Sequence, residues 1–409
     1  VRLTFFAARS FAALLAASTT VGPGALLAAG PAASPLAASP ASVQGPSDGE
    51  PVAIGTFRQL HSGVLGEDRT LLVCLPQDYD ESSTSYPVLY VLYSDQIRGY
   101  FALAVHVVDR LSEEGSIPQM IVVGVANVDR YRDLSPVARQ GRPSGIEPFS
   151  RFVAEELIPF VQSEYRTKNY RVLVGPQAGA EFGLYTLAKR PGLFDAFIIE
   201  NPFRFPAVHD TLMPMMAELM DEGLPSFTFL QITSADRAGN MDKTEEIEYM
   251  RLFEKLIADK NPPNLKLMAH YIENSEDFLP PLRLKDGLRE LFCDYRFPDD
   301  RSARGLAGIT AYYEALSGRY GFEVDVPERT LATKADELTG QGESDSARVI
   351  LEYLIDVNPA SVDGYWRLAN LHREGGDRRL AIEYYRKCLD ILPNMRPASD
   401  WIEKLEAEQ

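Results

Sequence analysis

Residues 170–183 of this 409-residue chain set a short apolar run, Val172-Leu173-Val174, directly before Gly175-Pro176-Gln177-Ala178-Gly179, and a stretch of helical character follows through Arg190. Strand, glycine-flanked tight turn and helix form the frame G-x-S-x-G, which holds a serine oxygen exposed for nucleophilic attack. The glycines answer a packing need, because the strand and helix backbones approach closely at such a turn. Here Gln177 occupies the nucleophile position. An amide nitrogen is delocalised into its carbonyl, so Gln177 cannot replace an activated serine. The frame is present without its nucleophile.

Acyl transfer also needs a base that takes the nucleophile's proton and an acid that orients the base. Asp236 follows the apolar run Phe227–Thr233 and is positioned to be the acid, although loop aspartates more often serve as turn or cap residues. None of the histidines is well placed as the base. His270 lies in the alternating run Leu265–Tyr271, His61 and His209 in polar or loop surroundings, and His106 and His372 in helical stretches. Ser144 and Ser234 are loop serines without an elbow around them.

The elements that would carry such a site alternate. Residues 53–76 read as an antiparallel hairpin at a sheet edge. Pro87–Tyr93 and Met120–Val125 are almost wholly apolar, as strands covered on both faces are. Ala196–Ile199, Phe227–Thr233 and Leu265–Tyr271 continue the series, with helical spacing at 101–114, 147–165, 210–221, 243–259 and 281–294. This alternation predicts an α/β fold with a doubly wound, mostly parallel sheet. From about residue 300 the pattern is helical only, and two segments repeat at a period of 34. Ala335, Gly342, Ala347, Leu351, Leu354 and Pro359 recur as Ala369, Gly376, Ala381, Tyr385, Cys388 and Pro393. That is the tetratricopeptide spacing, with small residues where paired helices touch. A plain helical hairpin covering the sheet is the simpler alternative.

Composition narrows the partners. The chain is 45% hydrophobic and 24% charged, ordinary for a globular protein, and its net charge is −17. Nucleic acid and anionic membrane both call for a basic surface, so neither is expected. Residues 1–50 differ from the rest: Arg2 and Arg9, an apolar core from Phe11 to Ala17, then Pro, Ala and Ser with A-x-A-like sites. The pattern predicts a secretory signal and a flexible linker, with no membrane span in the mature chain, which would be periplasmic or secreted. Cys74, Cys293 and Cys388 have no paired spacing, so buried free thiols are expected, with no disulfide framework, metal site or cofactor.

Five stretches carry a resemblance. They are His61–Arg69, Tyr86–Leu92, Ile117–Pro136 (Ile-Pro-Gln-Met-Ile-Val-Val-Gly-Val-Ala-Asn-Val-Asp-Arg-Tyr-Arg-Asp-Leu-Ser-Pro), Glu156–Phe160 and Leu284–Phe292. Through them residues 53–300 resemble the putative-esterase family of α/β-hydrolases, which includes siderophore esterases and some members with tetratricopeptide-like C-terminal helices. The resemblance implies an α/β-hydrolase fold with serine at position 177 and the catalytic histidine at position 276, where this chain has Gln177 and Glu276. It implies an oxyanion-hole region at Tyr93, Ser94, Gln177 and Ala178, though the loop after the first buried strand reads Tyr93-Ser94 in place of His-Gly or Asp-Gly. The family's Ser-Pro-Ser is matched only in its proline, at Asn201-Pro202-Phe203. Glu276 cannot replace an imidazole, since an ionised carboxylate beside Asp236 meets like-charge repulsion. Loss of nucleophile or base alone costs about 8 kcal/mol of transition-state stabilisation, and the second loss adds little.

The expected organisation is a signal and linker over 1–50, an esterase-like domain over 51–300, a connecting helix over 301–325 and tetratricopeptide-like helices over 326–409. The expected function is that of a non-catalytic relative, binding a small ester-like ligand, a protein partner through its C-terminal helices, or both. Two alternatives stand beside it: an ester hydrolase in which Glu276 and Asp236 activate water, and a helical-repeat scaffold alone. Export predicts a mature N-terminus between Gly30 and Val43; intact-mass measurement of the protein from its native host checks this, and retention of residue 1 in a cytoplasmic fraction refutes it.

Overall fold

The structure is a computed structural model that describes residues 53–77, 79–81, 83–92, 97–126, 128–237, 243–275, 280–298 and 305–407. Eight strands form one sheet in the order β1-β2-β4-β3-β5-β6-β7-β8. They are β1 (Thr56–Ser62), β2 (Glu67–Cys74), β3 (Tyr86–Val91), β4 (Ile121–Val125), β5 (Thr167–Pro176), β6 (Ala196–Glu200), β7 (Thr228–Arg237) and β8 (Leu265–Ser275). β1, β2 and β4 pair antiparallel, and every pairing from β4 through β3 to β8 is parallel. The hairpin expected at the sheet edge is there, with β1 as the edge strand.

Helices cover both faces. α1 (Ile97–Glu113) and α7 (Pro280–Leu291) pack on one face, against Leu89, Val91, Val172, Val174, Ala196 and Ile198. The opposite face, with Val88, Tyr90, Leu173, Phe197 and Ile199, meets α2 (Ile146–Phe152), α3 (Ile158–Glu164), α4 (Ala178–Lys189), α5 (Pro206–Glu222) and α6 (Lys243–Lys260). The alternation of burial along each strand is the period-two geometry of a strand. α2 and α3 are joined by a π-helical turn at Val153–Leu157, just before Pro159. Proline has no N–H to donate, so the widened turn accommodates it without ending the helical run.

Six further helices follow: α8 (Leu306–Tyr320), α9 (Glu328–Gly340), α10 (Ser344–Val357), α11 (Val362–Glu374), α12 (Arg378–Ile391) and α13 (Arg396–Ala407). α11 and α12 begin and end 34 residues after α9 and α10, so the sequence period is also a structural one. Ala335, Ala347, Ala369 and Ala381 are all buried, and Gly342 and Gly376 turn the chain between paired helices with φ of 81° and 83°. The helical region shares its core with the α1/α7 face of the sheet. Tyr170 near the start of β5 meets Phe322 at 4.7 Å and Phe292 at 6.0 Å between ring centroids, and the buried Tyr313 hydroxyl donates to the Tyr295 carbonyl at 3.0 Å. The Tyr170 contacts lie near the N-terminal end of β5, away from its end at Pro176.

Three sequence expectations need correction. β7 runs to Arg237, past the expected end at Thr233, so Asp236 lies in the strand, where the β7–β8 register shifts between Ala235 and Arg237. His209 is in the first turn of α5, not in a loop, because the helix starts at Pro206, whose fixed φ favours a first helical position. Cys293 is exposed beyond the end of α7; of the three thiols only Cys388 is buried. Among the described residues no helix is long and apolar enough to cross a membrane.

A core that runs from the sheet into α8–α10 should unfold as one unit. Phe322→Ala removes an aromatic side chain from that junction and is expected to cost about 3 kcal/mol, with sheet and helices still melting in a single calorimetric transition. Two separated transitions in the unmutated protein would show that the helices fold independently.

Candidate functional site

The sheet changes winding direction between β3 and β5: the chain passes from β3 to β4 on one side, then returns to β5 on the other. In open α/β sheets the crevice beyond the carboxyl ends of strands at such a point is the usual ligand site. β5 delivers Gln177 there. Its φ of 55° and ψ of −115° lie outside the regions favoured by L-residues, and such a conformation costs on the order of 1–3 kcal/mol. The surroundings enforce it. A Cβ on Gly175 would sit 2.7 Å from the Gly179 carbonyl carbon, and one on Gly179 would sit 2.3 Å from the Leu92 carbonyl oxygen. The Gln177 N–H donates to the Glu200 carbonyl at 2.6 Å, and the Asn201 N–H to the Thr233 carbonyl at 2.8 Å, which ties the ends of β5, β6 and β7 together.

Gln177 is half-buried, and its side-chain amide makes no hydrogen bond with any described residue. Ala178 is the first residue of α4, so its N–H has no acceptor within the helix. That N–H stands where an oxyanion-hole donor is required. Of the other expected site residues, Tyr93, Ser94 and Glu276 lie outside the described residues, and of Asp236 only the backbone position in β7 is described. The structure therefore brings Gln177 and Ala178 together and leaves the rest of the expected set without a described side chain.

Five residues that the sequence reading passed over lie at the same end of the sheet. Glu181, one helical turn beyond Gln177, is 1% exposed. Its Oε1 accepts from Arg139 at 2.9 Å, while Oε2 is buried without a hydrogen-bond partner. Burial pushes the Glu181 carboxyl up to about 7, against the opposing pull of Arg139 and Arg204. The Ser135 hydroxyl also acts on the carboxyl, favouring its charged form. Arg139 lies 4.0 Å from the centre of the Phe205 ring, and Arg204 5.9 Å from the same ring. A signal for Glu181 was available: it is the lone charge in the otherwise uncharged run Ala178–Ala188.

The segment between β4 and α2 that carries Arg139 is held from beneath. Arg69 is wholly buried, bonded to Asp133 at 2.9 Å and Glu67 at 2.6 Å, with its guanidinium carbon 5.3 Å from the Phe149 ring. Asp133 also accepts from Arg132 and from the Asp129 N–H, and Asp129 accepts from the Tyr131 and Arg132 N–H groups. The Asp129–Asp133 part of the long resembling block is thus a buried scaffold for the loop. His209 stacks on Tyr249 at 4.1 Å with Asp210 at its Nδ1, and His270 on β8 has its pKa lowered by burial and by Arg283.

Residues 62–213 match the model of the family described as "Putative esterase". This part of the chain is similar to the putative-esterase family. It is 31% identical over 153 residues to the uncharacterized protein YjcH of Bacillus subtilis, and 27% identical over 137 residues to the ferri-bacillibactin esterase BesA of the same organism. These matches span 36% and 29% of this chain, but only 60% and 47% of the relatives' own lengths. The fold resembles that of an IroE-like serine hydrolase from Shewanella oneidensis (TM-score 0.62, 24% identity, 73% of this chain and 98% of the other). It also resembles an uncharacterised protein from Capnocytophaga ochracea (TM-score 0.55, 18% identity, 86% of this chain and 99% of the other).

The elbow's strain and its close contacts give opposite expectations for two neighbouring substitutions. Gln177→Gly removes the conformational cost and should raise stability by about 1 kcal/mol. Gly179→Ala, forced against the Leu92 carbonyl, should lower it by several times that amount or prevent folding. Denaturant titration checks both, and a destabilised Gln177→Gly would mean that the glutamine side chain supports the turn.

Proposed function

We propose that this chain is an exported, non-catalytic member of its esterase family, which binds a small ester- or carboxylate-bearing molecule at the elbow and a protein partner through α8–α13. One observation carries the reading: the strained turn at Gln177 is kept, with φ of 55°, although its side chain cannot attack a carbonyl. Strain of this kind persists only where the surroundings impose it, and a nucleophile elbow is where hydrolases impose it. The half-buried Gln177 amide and the Ala178 N–H offer donors to a carbonyl or carboxylate oxygen at that turn. The 34-residue period of α9–α12 supports the helical region as the surface for a partner.

Purified protein should hydrolyse p-nitrophenyl butyrate no faster than buffer, and Gln177→Ser should remain unlabelled by a serine-reactive phosphonate because no base accompanies the new hydroxyl. Saturable turnover that disappears in Glu276→Ala would overturn this reading in favour of water activation by Glu276 with Asp236.

A further inference from the structure

The groups around Phe205 carry more positive charge than the surrounding protein explains. Arg204 makes neither an ion pair nor a hydrogen bond with any described residue, in a chain whose net charge is −17. Its guanidinium shares the Phe205 ring with that of Arg139, which is 13% exposed and, among the described residues, bonded to Glu181. Two cations therefore stand against one carboxyl, and one oxygen of that carboxyl is unpartnered. α5 begins at the same place. Its N-cap, Phe205, offers no side-chain acceptor, and the first turn holds no acidic residue, so the positive end of the helix dipole adds to the two arginines. Asp210, further along α5, is turned to His209 at 3.1 Å.

We propose that Arg204 and Arg139, gathered on Phe205 at the start of α5, form an anion site beside the elbow whose ligand is a small carboxylate, the acid portion of an ester. The proposal rests on the reading of the elbow as a binding site and names the chemistry of its ligand. A carboxylate suits planar guanidinium donors, which can meet its two oxygens with parallel hydrogen bonds. Arg204, without an ion pair among the described residues, is placed to receive it. Arg139 is shared with Glu181, so ligand and Glu181 compete for the same guanidinium.

That competition makes the site sensitive to pH. Among the described residues Glu181 is the carboxyl bonded to Arg139, and the charged groups acting on it are Arg139 from the β4–α2 segment and Arg204 from the β6–α5 segment. Burial holds its carboxyl at about 7. Below that value Glu181 is neutral and Arg139 is left uncompensated. Above it Glu181 is ionised and repels the ligand. Affinity for an anion should therefore rise as pH falls through neutrality.

The test is calorimetric titration of the full chain with sodium butyrate at about pH 6 and about pH 8, with butyramide as the uncharged isostere. Butyrate should bind about tenfold more tightly at the lower pH, tenfold corresponding to about 1.4 kcal/mol, and butyramide should bind at neither. Arg204→Gln should weaken butyrate binding about tenfold at both pH values, and Glu181→Gln should abolish the difference between them. Lys255→Gln, which removes an exposed charge on α6, should change nothing. Equal binding of butyrate to Arg204→Gln and the unmutated protein, or of butyramide and butyrate, overturns the proposal. Neither result depends on ester turnover, so this site and the non-catalytic reading can fail separately.

Discussion

Everything at the candidate site depends on how closely three stretches of backbone meet beneath Gln177. Gly175 lies against Gly179, and Gly179 lies against the Leu92 carbonyl, with no room at either glycine for a single added carbon. This contact fixes the crossing of β5 into α4 and ties both to the end of β3. Given that crossing, residue 177 has one available conformation whatever its side chain. The strained turn thus follows from the backbone crossing, independently of the side chain at position 177.

The same logic separates what was legible in the sequence from what was not. The strands were readable because Val172–Val174, Pro87–Tyr93 and Met120–Val125 are apolar on both faces, and the elbow was readable because its two glycines have a steric cause. The helical period was readable because Ala335 and Ala369, Ala347 and Ala381 fill equivalent contacts. The end of β7 was not: past Thr233 the residues are polar, and strand pairing with β8 rather than local preference extends it to Arg237. Nor was the Arg139–Glu181 pair, whose members are 42 residues apart and meet only through the winding of the sheet. A lone glutamate in a buried helix was visible as an anomaly; its partner was not.

The long Ile117–Pro136 block illustrates a different limit. Read as sequence, it carries a resemblance but gives its polar residues no role. In the structure Asp133 and Arg69 are buried together between β2, the following loop and the Phe149 ring. Buried ion pairs of this kind contribute little net stability over an apolar core, yet removing one partner strands the other charge and costs about 3–5 kcal/mol. The block holds the loop that brings Arg139 over the elbow helix, and so shapes the site without touching a ligand.

β5 carries the elbow at one end and Tyr170, an anchor of the helical region, near the other. At a rise of about 3.3 Å per residue the two are separated by about 20 Å of extended chain. A macromolecule seated on the helices and a small molecule seated at Gln177 would meet opposite ends of β5, with no shared space to dispute. Such an architecture would let a single polypeptide hold a small molecule at one end of the strand while a partner met the other.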